Sequence, residues 1–291
     1  MKNGKLILIF LCIATVLVSC SGPPKRDRGQ RQPPVPETTF VSTMYDRRPF
    51  NTGIERLPQG YTGHNPELLY NSIRLRQEIV KWRPGETDAQ HRARIGGEIS
   101  APLLGSVDFD STFAFTITPS KRTYDTGRKS LEVSCSLVPI FEKGLDGPKK
   151  AFMVRYQPQL DNSSVVTGKD GSKRVIEEKK FSQYAIVPVD RAGVPVETRD
   201  TITTTVAMAP EEDRKTESGV MFLLIGRLQS PYASYEEVNR NPVGGASGTY
   251  LGRYHYLHIH VLDIWVYDIA SGRILQKEFQ TSGSTFQGKT K

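Results

Sequence analysis

The sequence of 291 residues carries 39 Lys and Arg against 31 Asp and Glu, a formal charge of +8, with 37% hydrophobic and 24% charged residues and three cysteines. This is an ordinary globular composition, too apolar for disorder throughout and too poor in cysteine for a disulfide scaffold. The basic excess is dispersed and no nucleic-acid motif accompanies it, so neither nucleic acid nor a nucleotide is an expected partner.

The chain opens with Lys2 and Lys5, then runs without charge from Leu6 to Val18. As a helix at ~1.5 Å per residue that run spans about 20 Å, short of the ~30 Å hydrocarbon core, so residues 1–19 read as a signal peptide and not a membrane span. No later stretch offers ten uninterrupted apolar residues, so no transmembrane helix is expected. The run ends Leu17-Val18-Ser19-Cys20, which resembles the lipobox of bacterial lipoproteins: an aliphatic residue, a small or aliphatic one, a small one, then Cys. The resemblance implies diacylglycerol in thioether linkage on Cys20, cleavage after Ser19 and acylation of the new amino group. One acyl chain holds a protein weakly, at ~0.8 kcal/mol per buried CH₂, whereas two or three hold it durably. Ser21 stands where Asp would signal inner-membrane retention, which by the same analogy implies the outer membrane, facing the periplasm. Losing Lys2 and Lys5 takes the charge from +8 to +6.

Cleavage would remove Cys12 and lipid would occupy Cys20, leaving Cys135 with no internal disulfide partner. Residues 20–50 follow as a tether: Pro23, Pro24, Pro33, Pro34, Pro36 and Pro49 with Lys25, Arg26, Arg28 and Arg31, and few aliphatic residues. Such a segment buries too little to fold.

Residues 51–105 read as a helical lead. Asn65 is a natural N-cap and Pro66 suits the first helical position; Leu69, Ile73, Val80 and Trp82 form a helix-spaced stripe up to Arg83-Pro84. Thr87 and Gln90 make a capping-box pair opening a second helix that is expected to stop at Gly96-Gly97. From residue 106 to 284 the period changes to two. Expected strands cover 107–117, 130–142, 151–157, 174–188, 195–208, 219–229, 253–268 and 273–282, with no helix between 107 and 218. Leu131, Val133, Cys135 and Leu137 share one strand face, which makes Cys135 a buried, inert thiol. Gly272 reads as the left-handed residue of a hairpin loop, and residues 169–180 as a solvated basic hairpin, with a surface for acidic glycans as the second choice. Residues 285–291 close the chain as a polar end. The fold class is therefore α+β: a short helical lead, then a mainly antiparallel β domain, sandwich-like or a helix-flanked sheet.

Catalytic motifs are few. Gly283-Ser-Thr-Phe-Gln-Gly-Lys-Thr290 has the spacing of a phosphate-binding loop, but that loop needs a following helix and one residue remains. His258 and His260 share a strand face, with His255 and Asp263 on the other. Two imidazoles begin a zinc site but need a third ligand, and the alternation with Leu257, Ile259 and Val261 suits a solvent-facing polar edge. There is no Gly-x-Ser-x-Gly, Ser-x-x-Lys or His-Glu-x-x-His. Asp108/Asp110 and Glu211/Glu212/Asp213 read as polar flanks. No catalytic residue, metal ligand or cofactor is assigned.

Val220 to Leu228, an aromatic-containing insertion, then Ile259 to Thr281 with Asp268-Ile-Ala-Ser-Gly272 between two strands are similar to the terminal hairpin of CsgG-like outer-membrane assembly lipoproteins and to the middle domain of the flagellar assembly protein T. The resemblance covers about a quarter of the chain. It implies a role in an envelope assembly; those families place helices between early strands that are not expected here, so no pore- or ring-forming residue carries over. The expected function is non-catalytic binding or structural support with an envelope protein partner. The alternative is an envelope-glycan hydrolase or metal-dependent enzyme working through His258 and His260.

Overall fold

The computed structural model describes residues 45–141, 149–216, 219–240 and 247–277. Cys20 and the 283–290 motif lie outside them. The described chain is mostly strand. Helices α1 (Pro66–Arg74), α2 (Gln77–Val80) and α3 (Asp88–Glu98) precede β1 (Thr112–Ile117), β2 (Lys121–Asp125), β3 (Ser130–Ser136), β4 (Val138–Pro139), β5 (Lys150–Thr167), β6 (Lys173–Val189) and β7 (Thr201–Ala207). Then come α4 (Pro210–Lys215), β8 (Val220–Arg240), β9 (Ser247–Asp268) and β10 (Ile274–Gln276). A large sheet runs β1-β8-β9-β6-β5-β4, with β10 on the end of β9, and a smaller one runs β2-β3-β7. The pairings are antiparallel except β6–β9, which is parallel from Ile176/Ser247 to Val189/His260. The α+β reading, mainly β, is what the fold displays.

Both faces of the central part of the large sheet are covered. On one, α1 lays Leu69, Tyr70 and Ile73 against the sheet, and the small sheet adds Leu131, Val133, Cys135, Ile202 and Val206 to the same core. On the other, Phe50, Leu57 and Tyr61 cover Leu223, Ile225, Trp265 and Tyr267. Farther along, Val138, Ile140 and Phe141 pack on Ala185, Val187, Tyr254 and Tyr256. Hence Phe222-Leu-Leu-Ile225 and Ile264-Trp-Val-Tyr267 are apolar without a break: alternate residues serve opposite cores. Burial pushes the Cys135 thiol up to about 12, which leaves no reactive thiolate near neutral pH.

The helix signals hold at their starts. Asn65 Oδ1 accepts from the Glu67 and Leu68 amides, and Thr87 and Gln90 form the reciprocal box. The ends differ. The expected first helix breaks after Arg74, with Leu75 exposed, and α3 runs through Gly96-Gly97 to Glu98, where Arg94 and Glu98 stand 3.7 Å apart one turn on. A helix also occurs inside 107–218: α4 has Pro210 in its first turn and Glu211, Glu212 and Asp213 at its positive end. Two of those carboxylates, read as polar flanks, are tethers, Glu212 to Arg273 at 2.8 Å and Asp213 to Arg122.

Several boundaries shift. β1 begins at Thr112, because Asp108 holds Ser111 in a turn through Oδ1, and β7 begins at Thr201. β5, β6, β8 and β9 extend well past their cores. The edge strand β2 was not expected; its half-exposed residues carry no apolar alternation. Of the strand expected at 273–282, Ile274–Gln276 is seen, and 278 onward lies outside the described residues.

The expected tether ends earlier than residue 50. Tyr45 to His64 wrap the sheet, with Phe50 against Trp265 at 5.5 Å and edge-on. The segment docks on β1 through His64, whose Nδ1 accepts from the Ala114 amide at 3.0 Å while Nε2 donates to the Arg48 carbonyl at 2.9 Å. Gly63 permits that approach: its φ is +71° and a Cβ would stand 2.4 Å from the Ala114 oxygen. Gly63→Ala is therefore expected to destabilise clearly more than Gly85→Ala. Gly85 has φ +79° but open space, so its change carries only the left-handed penalty of about 1–2 kcal/mol. Equal losses in denaturant midpoint would contradict the backbone contact.

Candidate ligand-binding site

The three histidines of β9 do not form an edge. β9 lies between β8 and β6, and His258 is 1% exposed, its Nε2 2.9 Å from Ser234 Oγ. The solvent-facing reading of that face is corrected: Val187 and Val189 lie beside His258 and His260 and belong to a buried cluster. His260 Nδ1 donates to the Val189 carbonyl at 3.2 Å. His255 does occupy the other face, stacked on Tyr184 at 4.6 Å.

Asp263 is not on His255's face. Ile225 pairs Asp263 and Gly226 pairs Val261, so Leu262 is an extra residue that reverses the parity of the strand. Asp263 thus falls on the side of Trp265, whose Nε1 donates to its Oδ2 at 2.6 Å. Among the described residues no three His, Cys, Asp or Glu side chains converge as a metal site.

A second, wider bulge builds the cavity. Leu228 pairs Ile259 and Ala233 pairs Leu257, so residues 229–232 bow out opposite His258 alone. The bow contains a cis Ser230–Pro231 bond and Tyr232 at φ +65°, a conformation a tyrosine holds only when its surroundings impose it. Those surroundings are specific. Trp82 Nε1 donates to Ser230 Oγ, Arg92 donates to Gln229 Oε1 at 2.7 Å, and Gln229 donates to the Arg191 carbonyl at 2.6 Å. His91 stacks between Trp82, 4.2 Å away with nearly parallel rings, and Tyr232 at 5.9 Å. Glu86 anchors this stack: Arg94 meets both carboxylate oxygens at 2.7 and 2.9 Å, and His91 Nδ1 lies 3.0 Å from Oε2. The Arg94 hydrogen bonds hold the Glu86 carboxyl well below the usual carboxylate range.

The cavity, of about 340 Å³, opens beside this bow. Ile95 and Ile99 of α3 and its C-cap, Phe109, Leu228 and Tyr232 give it an apolar wall, and Arg92, Asp108 and Asp110 lie at its polar side. Phe109 meets Tyr232 edge-on at 5.2 Å. Arg92 is held by Asp88 at 3.0 Å, and Asp108 is occupied by Ser111. Among the described residues no histidine, lysine or cysteine lines it. Its volume is at the small end of ligand pockets, and its lining mixes polar and apolar groups about equally. Sequence reasoning missed Arg92, Phe109 and Tyr232 as site residues. The one local signal was Pro231, just past the strand expected at 219–229; within the continuous β8 of the structure it marks a bulge.

No protein-family model, curated protein or solved structure significantly matches the chain.

Burial pushes His258 down to about 4 and lowers His64 as well. Both are neutral in the folded protein at a pH where the unfolded chain, near 6.5, already binds the proton. Stability is therefore full above about pH 6.5 and falls as pH drops from there to about 4, by about 3 kcal/mol for His258 at ~1.4 kcal/mol per unit. Chemical denaturation from pH 7.5 to 4 is expected to show this slope, reduced in His258→Asn; an unchanged slope in that variant would contradict the assignment.

Proposed function

We propose that the chain is an exported lipoprotein, cut before Cys20, held by lipid on the outer membrane and facing the periplasm, whose folded body is a non-catalytic binding module of an envelope assembly. The lipobox Leu17-Val18-Ser19-Cys20 supports the anchor. One observation carries the binding role: a formed cavity in which Arg92, held by Asp88 at 3.0 Å and standing 3.9 Å from Asp110, faces an apolar wall of Ile95, Phe109, Leu228 and Tyr232. The hydrolase alternative draws no support from His258, which is too buried to meet a substrate. The terminal hairpin's likeness to envelope-assembly domains is consistent with a protein partner.

Growth with an alkyne analogue of palmitate tests the anchor. The wild-type protein is expected to take up the label and sediment with outer membrane, and Cys20→Ser to lose both. Label retained by Cys20→Ser would refute lipidation at that residue. Affinity capture from envelope extracts, with the two forms compared, then separates binding from tethering: a partner of the folded body is captured by both, and a partner lost with the lipid reduces the role to anchoring.

A further inference from the structure

The sheet face turned away from α1 carries an aromatic surface remote in kind from the α3 cavity. Tyr156 of β5, Phe181 of β6, and Tyr250 and Tyr254 of β9 lie on it in staggered register. Phe181 is the hub, with ring centroids 5.2 Å from Tyr156, 5.2 Å from Tyr250 and 5.7 Å from Tyr254. Gly252, opposite Phe181, makes room for this packing: a Cβ there would stand 2.7 Å from the Phe181 ring and 2.8 Å from the Tyr254 ring. Phe181 and Tyr254 are buried, whereas Tyr156 is 52% exposed. The exposed ring is thus backed by buried ones, which fix it at little further entropic cost.

On the same face, Gln183 Nε2 and the Arg240 guanidinium have no hydrogen-bond acceptor among the described residues. The Gln183 side chain is 7% exposed, and its Nε2 has no acceptor. Arg240 is exposed, with its guanidinium 4.6 Å over the Tyr250 ring and 6.0 Å from the Phe141 ring, and no carboxylate of the described residues in ion-pair range. A matching ligand has an apolar face to lie on a ring, oxygen acceptors along its edge and an anionic group. A fatty chain lacks the second feature, and a simple anion lacks the first. A pyranose chain with acidic sugars has all three: C–H faces that stack on tyrosine, hydroxyl and amide oxygens at its rim, and carboxylates.

We propose that this face binds a linear glycan bearing carboxylates, with Tyr156 as the stacking platform and Arg240 as the carboxylate contact. The proposal stands on the face alone and does not depend on the lipid at Cys20 or on the α3 cavity.

Calorimetric titration of the purified full chain in detergent tests it. The probes are peptide-free peptidoglycan strands, which carry lactyl carboxylates, and hexa-N-acetylchitohexaose, which is neutral. The strands are expected to bind at least fivefold more tightly than the neutral chain. Tyr156→Ala should lower affinity for both at least tenfold, and Tyr156→Phe should restore it. Arg240→Gln should bring the strands down to the affinity of the neutral chain. The side chains altered are exposed, and thermal unfolding of each variant checks that the fold is kept. Absence of strand binding at millimolar concentration, affinity unchanged by Tyr156→Ala, or preference for the strands surviving Arg240→Gln would each overturn the proposal. A failure of lipidation would leave these results unaffected.

Discussion

The parallel pairing of β6 with β9 is the constraint on which the rest of the fold depends. It joins two hairpins, β5–β6 and β8–β9, that would otherwise be separate antiparallel pairs. A parallel ladder is stable where both its faces are dry, and here Tyr184 to Val189 and Tyr254 to Ile259 are almost continuously buried. The need to cover two faces accounts for the other layers. The helices and the small sheet close one side, while the wrap from Tyr45 to His64 and the strip around Phe141 close the other. Beyond Phe181 the covers end, and the same strands continue with mostly exposed polar residues.

Two irregularities in this ladder decide where chemistry can occur. The extra residue Leu262 reverses β9 and turns Asp263 toward Trp265, away from His255. The bow at 229–232 turns Tyr232 outward onto α3, and the space between the bow and the 99–110 segment is the cavity. The Glu86–Arg94 pair and the Trp82–His91–Tyr232 stack hold the bow from the helical side. The helical lead is thus both a cover for the core and one wall of the site.

Local chemistry was legible in the sequence wherever it acts within a few residues. The Asn65 cap, the Thr87–Gln90 box, the left-handed Gly272 at φ +72° and the inward face of Leu131, Val133 and Cys135 are all where short-range rules put them. What was not legible is set at long range. A one-residue bulge leaves no mark in the alternation of β9, so the face of Asp263 was misread. His258 resembles an exposed polar residue because its neighbours alternate with it, and only the parallel partner Val187 reveals its burial. The cavity brings Arg92, Phe109 and Tyr232 together across more than a hundred residues, beyond the reach of spacing.

Native-state hydrogen exchange tests the central role of the β6–β9 ladder most directly. Amides of 184–187, 189 and 255–260 are expected to exchange only through global unfolding, with the full denaturant dependence of that transition. Amides of 160–167 and 173–180, on the uncovered ends, are expected to exchange through local opening that depends little on denaturant. Fast, local exchange in 255–260, or protection at 160–167 equal to the global value, would contradict the account.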